Sequence, residues 1–195
     1  MPDDTNLSAD EYLTLDGASE ARNEFFDGTV TALDAANALH DTLASNVVQQ
    51  LSIQLVSRPG TVFGSDQRLA ITALGKYTYA DVSVARGEGR FAGPDRETLL
   101  DPTVIFEVLS DASEAYDRGR KFEHYQQLDS LREYLLVSPH SRRIEHFICQ
   151  ESNLWTYGDH TQSTSSTDLV TESLILLPSI ECTLHLDEVY AGTDL

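Results

Sequence analysis

The feature that most constrains the fold is the uninterrupted run TVIFEVLS at residues 103–110. Apolar residues at both odd and even positions leave no polar face, so a strand built from them must be covered on both sides. That demands layered α and β elements rather than a sheet with one wet face. Glu107 sits inside this run. An ionised carboxylate there costs roughly several kcal/mol unless it is paired, hydrogen-bonded or bound to a metal. Glu107 therefore needs a partner from elsewhere in the chain.

The flanking sequence supplies the layers. Ser8 and Glu11 have the S-x-x-E spacing of a capping box, which predicts a short helix carrying Tyr12 and Leu13 inward. Residues 22–34 alternate loosely around Asp27-Gly28 and read as a hairpin. Leu39, Leu43, Val47, Leu51 and Leu55 recur at steps of four, predicting an amphipathic helix over 36–57 that Arg58-Pro59-Gly60 ends. Strands are expected at 61–63, 67–72 and 79–85, the last with Val82 and Val84 on one face and Asp81 and Ser83 on the other. Residues 86–102, rich in Gly, Pro and charge, read as a loop between Asp81 and Glu107.

A helix is expected over 114–128, with Asp111 or Ser113 as its N-cap. EYLLVSP, RRIEHFIC and LWTYG make three further strands, GDHTQSTSSTDLVTE a polar connection and LDEVYAG a short closing helix. With 195 residues, 41% hydrophobic and without repeat or linker, the expectation is one mixed α/β domain over 1–195.

Composition excludes several classes. The net charge of −19, from 32 acidic and 13 basic residues, argues against a general grip on nucleic acid. Such an acidic surface, with only Lys76 and Lys121 as lysines, suits a high-salt cytoplasm where charge is screened. No window nears 18 apolar residues and the start MPDDTNLSADE is acidic, so a soluble, cytoplasmic protein is expected. Cys149 and Cys182 stand in no CxxC-type pattern, which suggests neither a disulfide nor a zinc site.

Asp81 and Glu107 are the candidate chemistry. Two carboxylates on adjacent strands are most easily kept ionised by a shared divalent cation, and oxygen ligands suit Mg²⁺ or Mn²⁺. Asp117, Lys121 and Tyr125 recur at steps of four and share one helical face. An ammonium reaching from that face compensates the carboxylates and orients a water, which is what metal-assisted phosphodiester hydrolysis requires. The plainer alternatives are a structural salt bridge from Glu107 to Lys121 or Arg118, turn hydrogen bonds at Asp81, and packing for Lys121 and Tyr125. Lys76 has no role that the sequence suggests. Arg142-Arg143 reads as the polar start of a strand.

Y-x-D-V-S-V at Tyr79–Val84, F-E-V-L-S at Phe106–Ser110, D-x-x-x-K-x-x-x-Y at Asp117–Tyr125 and E-Y-L-L-V-S-P at Glu133–Pro139 together resemble the Uma-type restriction endonuclease family of the PD-(D/E)XK nuclease superfamily. R-x-E-x-x-D-G at Arg22–Gly28 and His40 near a helix start extend the resemblance over most of residues 8–190. It implies a restriction-endonuclease-like core, a central mixed sheet flanked by helices, and a Mg²⁺- or Mn²⁺-dependent endonuclease acting on DNA. It also implies Asp81, Glu107 and the backbone carbonyl of Val108 as metal ligands, with Glu24, His40 and Tyr125 as accessory positions. The superfamily's lysine position, two residues after the acid, is Leu109 here, so Lys121 from the following helix is the candidate to take its part. A homodimer is expected, as for nucleases that cut both strands. The alternative is a non-catalytic interaction module that keeps the fold, which the charge of −19 favours.

Overall fold

The computed structural model describes residues 6–33, 37–161 and 174–195. Helix α1 (Ala9–Gly17) leads into the hairpin β1 (Asn23–Phe26) and β2 (Thr29–Ala32), and α2 spans Ala38–Leu55. Strands β3 (Thr61–Phe63), β4 (Arg68–Ile71), β5 (Lys76–Tyr79), β6 (Val82–Ala85), β7 (Phe91–Ala92), β8 (Thr98–Leu99) and β9 (Pro102–Val108) follow. A helical rod then runs through α3 (Glu114–Tyr116), a π turn (Asp117–Lys121) and α4 (Phe122–Tyr125). Strands β10 (Glu133–Val137), β11 (Arg143–Cys149), β12 (Trp155–Thr161), β13 (Leu174–Leu177) and β14 (Cys182–His185) precede α5 (Leu186–Val189).

Two six-stranded sheets form, in the orders β2-β1-β5-β4-β8-β7 and β12-β11-β10-β9-β6-β3, beside the β13-β14 hairpin. In the second sheet β9 and β10 are parallel, while β6 and β11 run antiparallel to their neighbours. This is the mixed, helix-flanked core that the family resemblance implies, with a second large sheet added.

The period of two along β9 decides where Glu107 points. Val104, Phe106 and Val108 join the core formed with Leu43, Val47 and Leu51 of α2 and with Leu184 of β14. Ile105 joins the opposite core, where Phe122 and Tyr125 of α4 pack with Leu69, Leu99 and Tyr134. Glu107 has the parity of Ile105, so it faces the helical rod. All seven β9 residues are buried.

Several expectations are met closely. Ser8 accepts from the Glu11 N–H and Glu11 returns a bond to the Ser8 N–H, completing the capping box. Asp27 and Gly28, at φ 50° and 78°, make the tight β1-β2 turn.

Others need correction. The expected strand at 79–85 is two strands, because Ala80 and Asp81 break the chain between β5 and β6; Asp81 lies in that break rather than in a strand. Residues 86–102 are not all loop: β7 and β8 pair within them and β9 begins at Pro102. Two-residue strands carry no readable period, which is why the sequence hides them. The helix expected to reach 128 ends at Tyr125, and Ser113 caps it without a side-chain hydrogen bond. Trp155–Thr161 extends the LWTYG strand into the expected polar connection, much of which lies outside the described residues. Residues 34–36, where the hairpin was expected to end and α2 to begin, also lie outside them.

Candidate active site

A cleft of about 820 Å³ opens between the β1-β2 hairpin, the first turn of α2, the break at Asp81, the end of β9 and the helical rod. Its floor is built by strand register. Val82 pairs with Phe106 in the antiparallel β6-β9 ladder, so one step outward Asp81 stands against Glu107. The Val108 N–H donates to Asp81 Oδ2 at 2.7 Å, and His40 Nε2 lies 3.1 Å from the same oxygen. Oδ1 makes no hydrogen bond among the described residues.

Glu107 is held in the same one-sided way. Lys121 Nζ lies 2.9 Å from Glu107 Oε1, and the Tyr125 hydroxyl donates to that oxygen at 2.8 Å. Oε2 makes no hydrogen bond among the described residues. Lys121 also lies 3.6 Å from Asp117 and 3.8 Å from Glu24. The π turn spanning Asp117–Lys121 widens the helix where both side chains enter the cleft, a local geometry that recurs at functional positions.

Glu24 connects this group to the other lysine. Lys76 Nζ lies 3.1 Å from Glu24 Oε2, and the Tyr116 hydroxyl donates to that oxygen at 2.8 Å. Thr78 donates to Oε1, and Lys76 donates to Tyr116 at 2.6 Å. Three carboxylates, Glu24, Glu107 and Asp117, thus share two ammonium groups in a buried space, with the part-buried Asp81 beside them.

That imbalance sets the protonation states. Burial pushes Glu107 well above the ordinary carboxylate range; Lys121 opposes the rise, while Asp81 and Asp117 reinforce it. Burial raises Asp117 as well. Burial alone would lower Lys121, but Glu107, Asp117 and Glu24 outweigh it and keep the ammonium charged. Glu24 moves the other way: burial would raise it, yet Lys121 and Lys76 together hold it below its ordinary value. Burial would lower His40, but the hydrogen bond to Asp81 together with the charges of Asp81 and Asp41 raises it.

The donor set fits a hard divalent cation. Asp81 and Glu107 are oxygen ligands, each anchored through one oxygen, and Mg²⁺ is commonly held by one or two carboxylates with waters and substrate phosphate completing its shell. Among the described residues no three His, Cys, Asp or Glu side chains form a metal-holding group, so the protein offers a sparse site rather than a closed cage.

Comparison with known proteins places the chain in a family. A model of the Uma2 family, described as putative restriction endonuclease, matches residues 9–184. The chain belongs to the Uma2 family. Two uncharacterised proteins of Synechocystis sp. resemble the Uma2 chain: one is 33% identical over 72% of the chain and 80% of its own length, the other 28% identical over 95% and 92%. A crystal structure described as a putative nuclease belonging to DUF820, from Anabaena variabilis, superposes with a TM-score of 0.72 at 16% identity, covering 95% of this chain and 98% of its own. That likeness shows the shared fold.

The Uma2 chain brings together Asp81, Glu107, Lys121, Tyr125, His40 and Glu24, which the sequence had only ordered along its length. Val108 lines the same cleft, and its N–H is the group bonded to Asp81. Arg118 does not reach Glu107: it pairs with Glu114 at 2.7 Å and with Glu145 at 2.5 Å. Lys76 and Tyr116 were missed. The scarcity of lysine was the available signal, since both lysines line this cleft. No described helix is long and apolar enough to cross a membrane.

Proposed function

We propose that this chain is a metal-dependent endonuclease hydrolysing phosphodiester bonds in DNA, with Asp81, Glu107 and the Val108 carbonyl holding Mg²⁺ or Mn²⁺. The observation that carries the reading is the one-sided anchoring of the two floor carboxylates. Val108 and His40 fix Asp81 through Oδ2, Lys121 and Tyr125 fix Glu107 through Oε1, and one oxygen of each carboxylate makes no hydrogen bond among the described residues. A bound divalent ion supplies Lewis-acid polarisation of the phosphoryl oxygen and lowers the pKa of a coordinated water.

The chain's own groups do the rest. Lys121 stays protonated, so it acts as an electrostatic stabiliser of developing phosphoryl charge and as a donor that orients the attacking water, not as a base. Tyr125 keeps Glu107 in the orientation that presents its second oxygen. His40 does the same for Asp81.

The test is cleavage of supercoiled plasmid and of single-stranded DNA with Mg²⁺ or Mn²⁺ from low to high salt, beside Asp81→Ala and Lys121→Ala. Metal-dependent nicking that both substitutions abolish is the expected result. Linearisation in one encounter, with a two-fold dimer by size exclusion, is expected for the homodimer. The charge of −19 favours a second reading, a non-catalytic interaction module. Mn²⁺ binding lost in Asp81→Ala argues for the nuclease, whereas no cleavage and no metal binding would establish the module.

A further inference from the structure

The 13 cations of the chain are unevenly spent. Nine arginines lie outside the cleft, and five of these, Arg68, Arg96, Arg118, Arg142 and Arg143, pair with carboxylates. Arg58 and Arg132 bond to backbone carbonyls. Of these nine, only the Arg86 and Arg90 side chains make neither a hydrogen bond nor an ion pair among the described residues. A duplex presents one phosphate charge per about 1.7 Å of axis, and specific duplex binding covers about 1,000–2,500 Å² of protein. A footprint of that size on this surface would meet carboxylates far more often than available cations.

Inside the cleft carboxylates again outnumber cations, but two guanidinium groups stand there without a carboxylate partner among the described residues. Arg22, Lys76, Arg120 and Lys121 line it. Among the described residues Arg22 bonds only to the Ser65 carbonyl, at 3.1 Å, and the exposed Arg120 has no carboxylate partner. Both guanidinium groups are available for phosphate. Beside Arg120 stands an aromatic wall: Phe26 and His124 lie 5.0 Å apart between ring centroids, and the Arg120 guanidinium and Lys76 Nζ each sit 5.8 Å from the Phe26 ring centroid. His124 Nδ1 is buried without a hydrogen-bond partner among the described residues.

We infer that the cleft takes an unpaired strand of DNA, a single strand or a frayed end, in preference to a duplex, with Arg22 and Arg120 on its phosphates and Phe26-His124 as the surface against which a base stacks. Cations flanking an aromatic platform are the elements with which proteins hold single strands. A short unpaired segment needs few phosphate contacts, and it keeps the remaining duplex away from the acidic exterior. This inference rests on the nuclease reading and narrows its substrate.

The test is fluorescence anisotropy with a labelled single-stranded oligonucleotide and the duplex of the same sequence, in Ca²⁺ and at several salt concentrations. The expected result is single-strand binding about tenfold or more tighter than duplex binding, weakened about fivefold or more by Phe26→Leu. Arg120→Ala should lower the single-strand salt slope by about 0.7, and Arg86→Ala, outside the cleft, should leave it unchanged. Equal or tighter duplex binding, binding of neither, or no effect of Arg120→Ala overturns the inference. Metal-dependent cleavage of duplex without strand preference would sink this inference and leave the nuclease reading standing. Selective single-strand binding with no cleavage would do the reverse.

Discussion

Two buried ion clusters draw on the first sheet, one joining it to α1 and the other joining it to β9 of the second sheet and the helical rod, and they are built on opposite principles. At the Asp16 cluster, Arg68 pairs with Asp16 Oδ2 at 2.7 Å, Tyr79 donates to the same oxygen and Asn23 reaches Oδ1 at 3.3 Å. Arg68 also donates to Thr98 at 2.9 Å. Every oxygen of Asp16 is used, and the cluster bolts α1 onto β4 and β5. At the Lys121 cluster the carboxylates outnumber the ammonium groups, two oxygens on the floor are unused, and a cleft opens above them. Burial of charge is common to both, so burial alone does not mark a functional site. Surplus of one sign beside a cavity does.

The comparison is broken or upheld most sharply by stability. Removing one partner of a satisfied buried pair leaves the other charge stranded, so Arg68→Ala should cost about 3–5 kcal/mol in denaturant unfolding. Asp81→Asn removes a charge from a crowded group and should change stability by less than about 1 kcal/mol while abolishing Mn²⁺ binding. Equal losses from the two substitutions would put both clusters in the structural class.

Within the Lys121 cluster the two glutamates should respond with opposite sign. Glu24 is held below its ordinary pKa, so its contribution is present above the usual carboxylate range and is lost as pH falls through the depressed value. Glu24→Gln should therefore cost about 2–3 kcal/mol at neutral pH. Glu107 is raised, so its protonated form favours the fold at low pH, and that favour is lost as pH rises from the usual carboxylate range through the raised value. Glu107→Gln should flatten the alkaline side of the pH-stability curve. A curve that moves the same way for both substitutions would contradict the assignment.

Metal binding follows from the same sign. A cation needs Glu107 ionised, so binding must displace its proton and should strengthen with pH. The rise in melting temperature caused by Mn²⁺ should therefore be several-fold larger near about pH 8 than near about pH 5.5, and it should vanish in Asp81→Asn. A shift independent of pH would indicate an ion bound elsewhere on the acidic surface.

What was legible in the sequence divides along the same line. The doubly buried β9, the amphipathic α2 and the Asp27-Gly28 turn declared themselves because each rests on a local pattern that burial or φ enforces. Glu107 and Lys121 were legible as violations, a charge in an apolar run and a lysine in a lysine-poor chain. Lys76 was not, because its meaning comes from a pairing with Glu24 across β1 and β5, whose ladder meets only at Phe25 and Tyr77. The Asp16-Arg68 pair, 52 residues apart, was invisible for the same reason. The π turn had no signal either, since a spacing of four brings Asp117 and Lys121 near one face in an α-helix and in a π turn alike.

The smallest expected effect separates the hairpin from the floor. Gly28 has φ +78°, and a Cβ placed there would lie 1.9 Å from Asn6 Oδ1. Gly28→Ala should cost about 1–2 kcal/mol from the left-handed backbone, with the Asn6 side chain turning aside. The turn carries Glu24 and Phe26 into the cleft, whereas Asp81 and Glu107 are set by the β6-β9 register in the other sheet. Single-strand binding should therefore weaken while the Mn²⁺ midpoint at pH 8 stays within about twofold. If Mn²⁺ affinity fell in step with stability, the two walls of the cleft would be one cooperative unit, and the floor could not be treated as preorganised independently of the hairpin above it.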